Sequence, residues 1–400
     1  MKRTIRDADC SDKTVLVRVD FNVPLDPLTG QISDDTRIFA SLPTIRYLQQ
    51  NNCKIILCSH FDRPKGKVVK EMRMFPVAKR LNALLGQETI YVRETIGDVV
   101  REAANEMAPR DVMVLENVRF HGAEEANEIA FCRSLASLAD IYVNDAFSTS
   151  HRDHASISGI ADFLPSYAGF QMEKELRNLS AALDDPARPM AAIMGGAKIA
   201  DKINLLQNMF EKLDLLVVGG GMAMIFLSAL GYSVGEGNID EESVNIAKSI
   251  LELAKENNTE VILPTDVVVS ESFGVDSNYK TISLTELKDK GFVMDIGPET
   301  LKLFISKLNN CRTIVWNGPM GVFEFEQFSN GTRGLAEAVA NIKNVTSIVG
   351  GGSTAEAINK LGLVNAVTHI STGGGASLEF LEGKDLIGVS KIPEIDVVDL

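Results

Sequence analysis

The feature that most constrains this chain is a series of short, almost continuously apolar runs, each followed by a longer stretch of helical period. The first half holds TVLVRVD (14–20), KIILCSH (54–60), DVMVLEN (111–117) and DIYVNDAF (140–147). The second half holds MAAIMGG (190–196), LDLLVVGGG (213–221), EVILPTDVVV (260–269), RTIVWNGP (312–319), TSIVGGG (346–352) and VTHISTGGG (367–375). A strand that is apolar on consecutive residues is covered on both faces, which is the environment of a parallel sheet between helix layers. The stretches between the runs have the length of crossover helices. The expected class is α/β, with mostly parallel sheets.

Four hundred residues exceed one ordinary core, so more than one domain is expected. The boundary is placed near 170–190, where GFQMEKELRNLSAALDDPARPM reads as a charged amphipathic helix running into a Pro-containing turn. A helix joining two lobes and an ordinary surface helix both fit that pattern. The division taken is 1–170, a linker at 171–188, and 189–383. A formal net charge of −14 argues against nucleic-acid or anionic-membrane binding. No apolar run approaches a membrane span, and MKRTIRDADCSDK lacks the core of an export signal. Five scattered cysteines with no C-x-x-C pair suit a reduced, cytoplasmic chain.

In open α/β sheets ligands sit beyond the carboxyl ends of the strands. In the first half those ends are polar and mostly basic. Arg18, Asp20 and Asn22 follow the first run, and Arg37 opens the next helix. His60 and Arg63 follow the second run, in SHFDRPKG. Arg119 and His121 follow the third, and His151, Arg152 and His154 the fourth. Arginines converging on one rim suit a small anion bearing phosphate or carboxylate, because the guanidinium fork matches both. His151 and His154 have no cysteine or third histidine nearby, so zinc is not expected.

In the second half the same places are glycine: 195–196, 219–221, 318 and 321, 350–352, and 373–375. Glycine lets backbone approach a ligand, and a following helix start attracts phosphate. A nucleotide bed and tight strand–helix packing both account for such glycines. Gly350, Gly352 and Ala355 also satisfy the G-x-G-x-x-A spacing of nicotinamide enzymes, without an acidic residue at the next strand end. In GGAKIADKI (195–203), Lys198 and Lys202 would share one face if a helix starts there. An anion site and a nucleotide site in one chain suggest phosphoryl transfer. The scarcity of candidate bases, His60 and His151 apart, favours a carboxylate acceptor, which is already ionised at neutral pH.

Eight blocks in order carry a resemblance. RVDFNVP (18–24), DDTRI (34–38), LENVRF (115–120), GGAKIADKI, GGGMAMIFL (219–227), DIGPET (295–300), WNGPMGVFE (316–324) and STGGGASLEFLEG (371–383) closely resemble the phosphoglycerate kinase family. The resemblance implies two Rossmann-like lobes, 3-phosphoglycerate on the first and Mg2+ with ATP or ADP on the second. It implies a monomeric enzyme that closes about a hinge, with the tail 384–400 packed back on the first lobe. The acid's contacts would be Asp20, Phe21, Asn22, Arg37, His60, Phe61, Asp62, Arg63, Arg119 and Arg152. The nucleotide's would be Gly196, Ala197, Lys202, Gly220, Gly297, Asn317, Glu324, Gly351, Gly352, Ser353 and Thr354. Arg37, Lys198 and Gly373 would act on the transferring group.

Three residues depart from the family pattern. Phe61 and Asp62 replace Leu and Gly, and Asp62 is expected to point away from the anion. Ser148 replaces Gly. Ser353 replaces the Asp that handles magnesium, so no metal ligand is assigned. A non-catalytic nucleotide-binding paralogue and a nicotinamide dehydrogenase are the competing functions.

Overall fold

The structure is a computed structural model that describes residues 1–235, 239–275, 277–287 and 291–395. The chain divides into two compact units. One comprises Met1–Arg177 with the tail from Asp385, and the other Asn178–Lys384. The division falls inside the helix Phe170–Leu183, which is the amphipathic stretch near the expected boundary. Of the expected tail, residues 396–400 lie outside the described residues. The earlier part runs along the first unit, where Gly388 N donates to Ser150 O at 2.8 Å.

The first unit holds a six-stranded sheet of β1 (Thr14–Arg18), β2 (Lys54–Cys58), β3 (Ile90–Tyr91), β4 (Val112–Val114), β5 (Ile141–Asn144) and β6 (Ser166–Ala168). The order is β3-β4-β2-β1-β5-β6, and every pair is parallel. Alternate residues feed opposite faces. Val15, Val17, Ile55, Leu57 and Val143 pack into one apolar cluster, and Leu16, Ile56, Met113 and Tyr142 into another. That two-sided burial is why these strands read as unbroken apolar runs.

The second unit holds β7 (Met190–Met194), β8 (Leu215–Val218), β9 (Glu260–Ile262), β10 (Asp266–Ser270), β11 (Tyr279–Ser283), β12 (Phe292–Ile296), β13 (Thr313–Asn317), β14 (Thr346–Gly350) and β15 (His369–Ile370). Six form a parallel sheet in the order β15-β14-β13-β7-β8-β9. The chain winds outward from β7 on one side and from β13 on the other, which is the Rossmann order. The other three form an antiparallel sheet, β11-β10-β12. The run EVILPTDVVV, expected as one strand, is therefore two strands in different sheets. Pro264 lies between them, cannot donate to a ladder, and ends the first.

One buried carboxyl has a measurable consequence. Asp145 follows β5, and its Oδ1 accepts from Gln171 N (2.8 Å) and Met172 N (3.2 Å) at the start of Phe170–Leu183. Its Oδ2 has no partner among the described residues. Burial pushes this carboxyl up to about 7, against hydrogen bonds from Thr44, Met172 and Gln171. The folded pKa lies above the ordinary 3.8, so folding takes up a proton between about pH 4 and pH 7. Stability from this group falls as pH rises through that window, by at most about 1.4 kcal/mol per unit. Asp145→Asn keeps the Oδ1 acceptor and removes the titration. Relative to the wild type, the variant should gain stability as pH rises from 5 to 7 in urea unfolding. A pH-independent difference would show that Asp145 is ionised throughout.

Candidate functional site

In the first unit the strand order reverses around β1, and the loops after β1, β2 and β5 meet there. The loops are tied by side chains. Ser59 Oγ accepts from Phe21 N at 2.9 Å, and Asn117 clamps Phe61 through both its N and its O. Asn22 Oδ1 accepts from Asp62 N at 2.8 Å, and Arg119 Nη1 donates to Asp62 O at 3.0 Å. Asp62 thus braces the cup with its backbone while its side chain is exposed, as expected for a charge that would oppose an anion. Phe21 and Phe61 differ from the other expected contacts: both side chains are buried in the apolar core, and their backbone amides are already taken by Ser59 and Asn117, so they shape the cup from behind.

The charges of this cup are unbalanced. Asp20 Oδ2 takes Arg37 Nη1 at 2.6 Å and the hydroxyl of Ser148, the residue standing where the family has Gly. Burial works against the Asp20 carboxylate, yet neighbouring His60 and Arg37, with hydrogen bonds from Ser148 and Asn22, hold it below the usual range. Burial pushes His60 down to about 3, with Asp20 opposing and Arg18, Arg152 and Arg37 adding to the shift, so the ring is neutral at pH 7. Arg152 is also shifted down, first by burial and then by the charges of Arg63 and Arg18. Arginines from several strand ends thus gather around Asp20 and His60, an arrangement whose chemistry suits an added anion. Among the described residues no three His, Cys, Asp or Glu side chains converge as a metal site would.

In the second unit the reversal of strand order lies between β7 and β13, and the glycine ends meet there. Gly195 N donates to Asn317 O and Gly196 N to Pro319 O, each at 2.9 Å. Gly220, with φ +61°, opens the helix Gly220–Ala229; a Cβ on it would lie 2.8 Å from Gly196 N. Beside this seam is a cavity of about 360 Å³, within the range of small-molecule sites. Gly196, Ala197, Gly220 and Glu324 line it, together with an apolar wall that includes Met224, Phe273, Met294 and Val322.

The remaining expected nucleotide residues divide. Asn317 is buried beside Gly350 and Gly351, and its Nδ2 has no partner among the described residues. Gly352 and Ser353, both exposed, begin the helix Gly352–Lys360. Lys202 Nζ reaches within 4.0 Å of where a Cβ on Gly196 would sit. Gly373 is buried, donates to Ser371 Oγ at 3.2 Å, and stands just before the helix Gly375–Leu381. Three positions differ from expectation. Thr354 is turned inward, its hydroxyl accepting from Gly318 N at 2.8 Å. Gly297 is not part of the cavity lining; a Cβ there would strike the Asp266 carboxylate, which caps the helix Pro298–Leu308. Lys198 and Lys202 do not share a helix face. A 3-10 turn at Ala200–Lys202 delays the helix to Ile203–Met209, leaving Lys198 exposed and Lys202 buried.

The sequence reading missed Phe273, Val293, Met294 and Asp295, because they come from the antiparallel strands β10 and β12 and the loop after β10. The apolar run FVMDI before DIGPET was the available signal. Asp295 is buried against the cavity, its oxygens accepting from Ile296 N (2.9 Å) and Gly331 N (2.8 Å).

An arginine-rich cup and a glycine-lined cavity, each at the switch point of its own parallel sheet, are the arrangement expected of a two-lobed α/β phosphotransferase. The family model described as phosphoglycerate kinase matches residues 5–384. The chain is 48% identical over 393 residues to a phosphoglycerate kinase of Moorella thermoacetica, covering 98% of this chain and 99% of that one. It is 49% identical over 399 residues to one of Gloeothece citriformis, with the same coverage. The solved phosphoglycerate kinase of Coxiella burnetii superposes with a TM-score of 0.89 at 37% identity, covering 98% of each chain. That of Pyrococcus horikoshii gives 0.84 at 34% identity, covering 97% of this chain and 98% of that one. The chain belongs to the phosphoglycerate kinase family. It is an enzyme that transfers a phosphoryl group between ATP and a carboxyl acceptor, and neither the non-catalytic nor the nicotinamide alternative stands against that match. Among the described residues no helix is long and apolar enough to cross a membrane.

Proposed function

We propose that the first unit holds 3-phosphoglycerate in its arginine cup and the second holds the adenine nucleotide along its glycine seam. The gathering of Arg37 on Asp20 (2.6 Å), Arg18 on His60 (3.2 Å) and Arg119 on the Asp62 carbonyl (3.0 Å) at one set of strand ends is the observation that carries this reading, and the charges of Arg63 and Arg18 beside Arg152 agree with it. Arg37, Arg63, Arg119 and Arg152 take the acid's charged ends, with neutral His60 and Asn22 as hydrogen-bonding partners. Asp20 fixes Arg37. The acid's carboxylate is ionised at neutral pH and attacks the γ-phosphorus without a general base. Lys198 stabilises charge on the transferring group, and Gly373, just before the helix Gly375–Leu381, brings its backbone near that group. Glu324 and the apolar wall take the nucleoside, and Lys202, Asn317 and the helix start at Gly351–Ser353 take phosphates.

Magnesium fits this chain poorly as a protein-bound ion. Ser353 offers a hydroxyl, not a carboxylate, and Glu356 one turn on is paired with Lys360 at 2.7 Å. Magnesium commonly keeps its waters and is carried by substrate phosphates. The ion accordingly enters with the nucleotide, and no step here depends on a protein ligand to it. The five buried, free cysteines support a reduced, cytoplasmic setting. Each unit builds its site from its own strand ends, which supports a monomer.

Calorimetry tests the assignment. Arg63→Ala and Arg152→Ala each remove a charge-assisted bond worth about 1.5–3 kcal/mol. The 3-phosphoglycerate Kd should rise about ten- to a hundredfold, with the ADP Kd unchanged. Unaltered acid binding in both variants would move the acid out of the cup.

A further inference from the structure

Behind the arginine cup lies a buried chain of polar groups that the transfer chemistry does not use. Glu124 sits in the short turn Gly122–Glu125 and is fully buried. Its two oxygens accept from Ser156 N at 2.9 Å and Ser156 Oγ at 2.7 Å. The Ser156 hydroxyl has then spent its only proton and can offer only a lone pair. Arg18 Nε donates to that oxygen at 2.9 Å. Arg18 is itself 1% exposed, a guanidinium at the end of β1 inside the protein. Its Nη1 donates to Val19 O, and its Nη2 lies 3.2 Å from His60 Nδ1.

A guanidinium has five donors and no acceptor. His60 Nδ1 must therefore present a bare lone pair to Arg18. In the neutral ring the proton then resides on Nε2. We infer that Glu124 is a positioning residue for the cup: through Ser156 it orients Arg18, and Arg18 fixes His60 as the Nε2–H tautomer. His60 is left with one donor for an oxyanion, and its orientation is set from behind. The inference rests on reading the cup as the acid's site, deepening that reading by naming what prepares it.

The other groups that face His60 agree with a neutral ring. Asp20 is the one anion beside it, and Arg18, Arg37 and Arg152 are the cations. A burial cost falls on Arg18 that only Glu124 and polar neighbours offset, because a buried charge without a partner is expensive. Loss of the Glu124 charge frees the guanidinium to tilt toward Asp20. Nδ1 then loses its obligatory donor and both tautomers become accessible.

The tautomer is read directly. In ligand-free wild type labelled with 15N histidine, two-bond 1H–15N spectra assigned with His60→Gln should show one tautomer, protonated at Nε2. It should not titrate between about pH 5 and pH 8. A ring protonated at Nδ1, or one titrating near the ordinary 6.5, overturns the inference without any variant. Glu124→Gln and Ser156→Ala should each give mixed tautomers. They should also raise the KM for 3-phosphoglycerate about tenfold, with kcat and the KM for ATP little changed. A merely structural Glu124 would lower thermal stability and leave the His60 spectrum as in the wild type; that result in both folded variants overturns the inference. Mixed tautomers with an unmoved KM for the acid would uphold the relay and overturn the cup as the acid's site.

Discussion

Lys198→Ala should fold like the wild type, bind ADP nearly as well, and turn over about 10²–10³-fold more slowly. The size follows from the loss of one preorganised donor to charge that develops in the transition state. The selectivity follows from where Lys198 lies. It is exposed, follows the seam glycines Gly195 and Gly196, and has no ion pair among the described residues. A surface lysine with no partner contributes within about 0.5 kcal/mol to stability, so the melting temperature should hold. Lys202 is the contrast. It is buried beside Gly196, and its removal should weaken nucleotide binding more than it slows the chemical step. Steady-state turnover with ADP calorimetry separates the two lysines. Turnover by Lys198→Ala within a few-fold of the wild type would remove it from the transition state.

The contrast between these lysines also shows where sequence reading runs out. GGAKIADKI reads as a phosphate-type turn, and its glycines lie at the β7–β13 seam, where Gly195 N and Gly196 N donate to Asn317 O and Pro319 O. The spacing of four residues nevertheless suggested a shared helix face that does not exist, because a 3-10 turn intervenes. Strands covered on both faces were legible because consecutive apolar residues leave no other environment. β3 and β6 are two and three residues long, too short to show a period. β11 is largely exposed and reads like a loop. The cavity wall that depends on β10, β12 and their loop was hidden with them. Charged rim residues were found because strand ends announce them. Their supporting shell was not, since Glu124, Ser156 and Arg18 meet only through tertiary contact, and nothing in their spacing brings them together.

Glycines of the second unit are the other ambiguity in the sequence, and two substitutions resolve it. Gly318 has φ +102°, and a Cβ on it would be driven into the Gly195 carbonyl and lie 2.9 Å from Gly195 Cα. These are backbone atoms of the neighbouring strand end, so nothing flexible can yield. Overpacking costs about 1–3 kcal/mol and a left-handed non-glycine residue a further 1–3. Gly318→Ala should therefore lower the stability of the second unit by about 2–6 kcal/mol. The chain's one tryptophan reports it: Trp316 is fully buried, two residues away, and its Nε1 donates to Gly318 O at 2.8 Å. Urea unfolding followed by Trp316 fluorescence should shift strongly. Far-UV circular dichroism should then separate into two transitions, because the first unit keeps its stability. Gly352 is the counterpart. A Cβ there meets nothing within 4 Å, and the residue opens a helix with its amide exposed. Gly352→Ala should hold or slightly raise stability, since alanine suits a helix better than glycine. It should weaken ADP binding if the open space is where a phosphate lies. Equal stability losses in both variants would make the whole seam a packing device, while a loss of affinity confined to Gly352→Ala would divide it into glycines that close the sheet and glycines that admit the ligand.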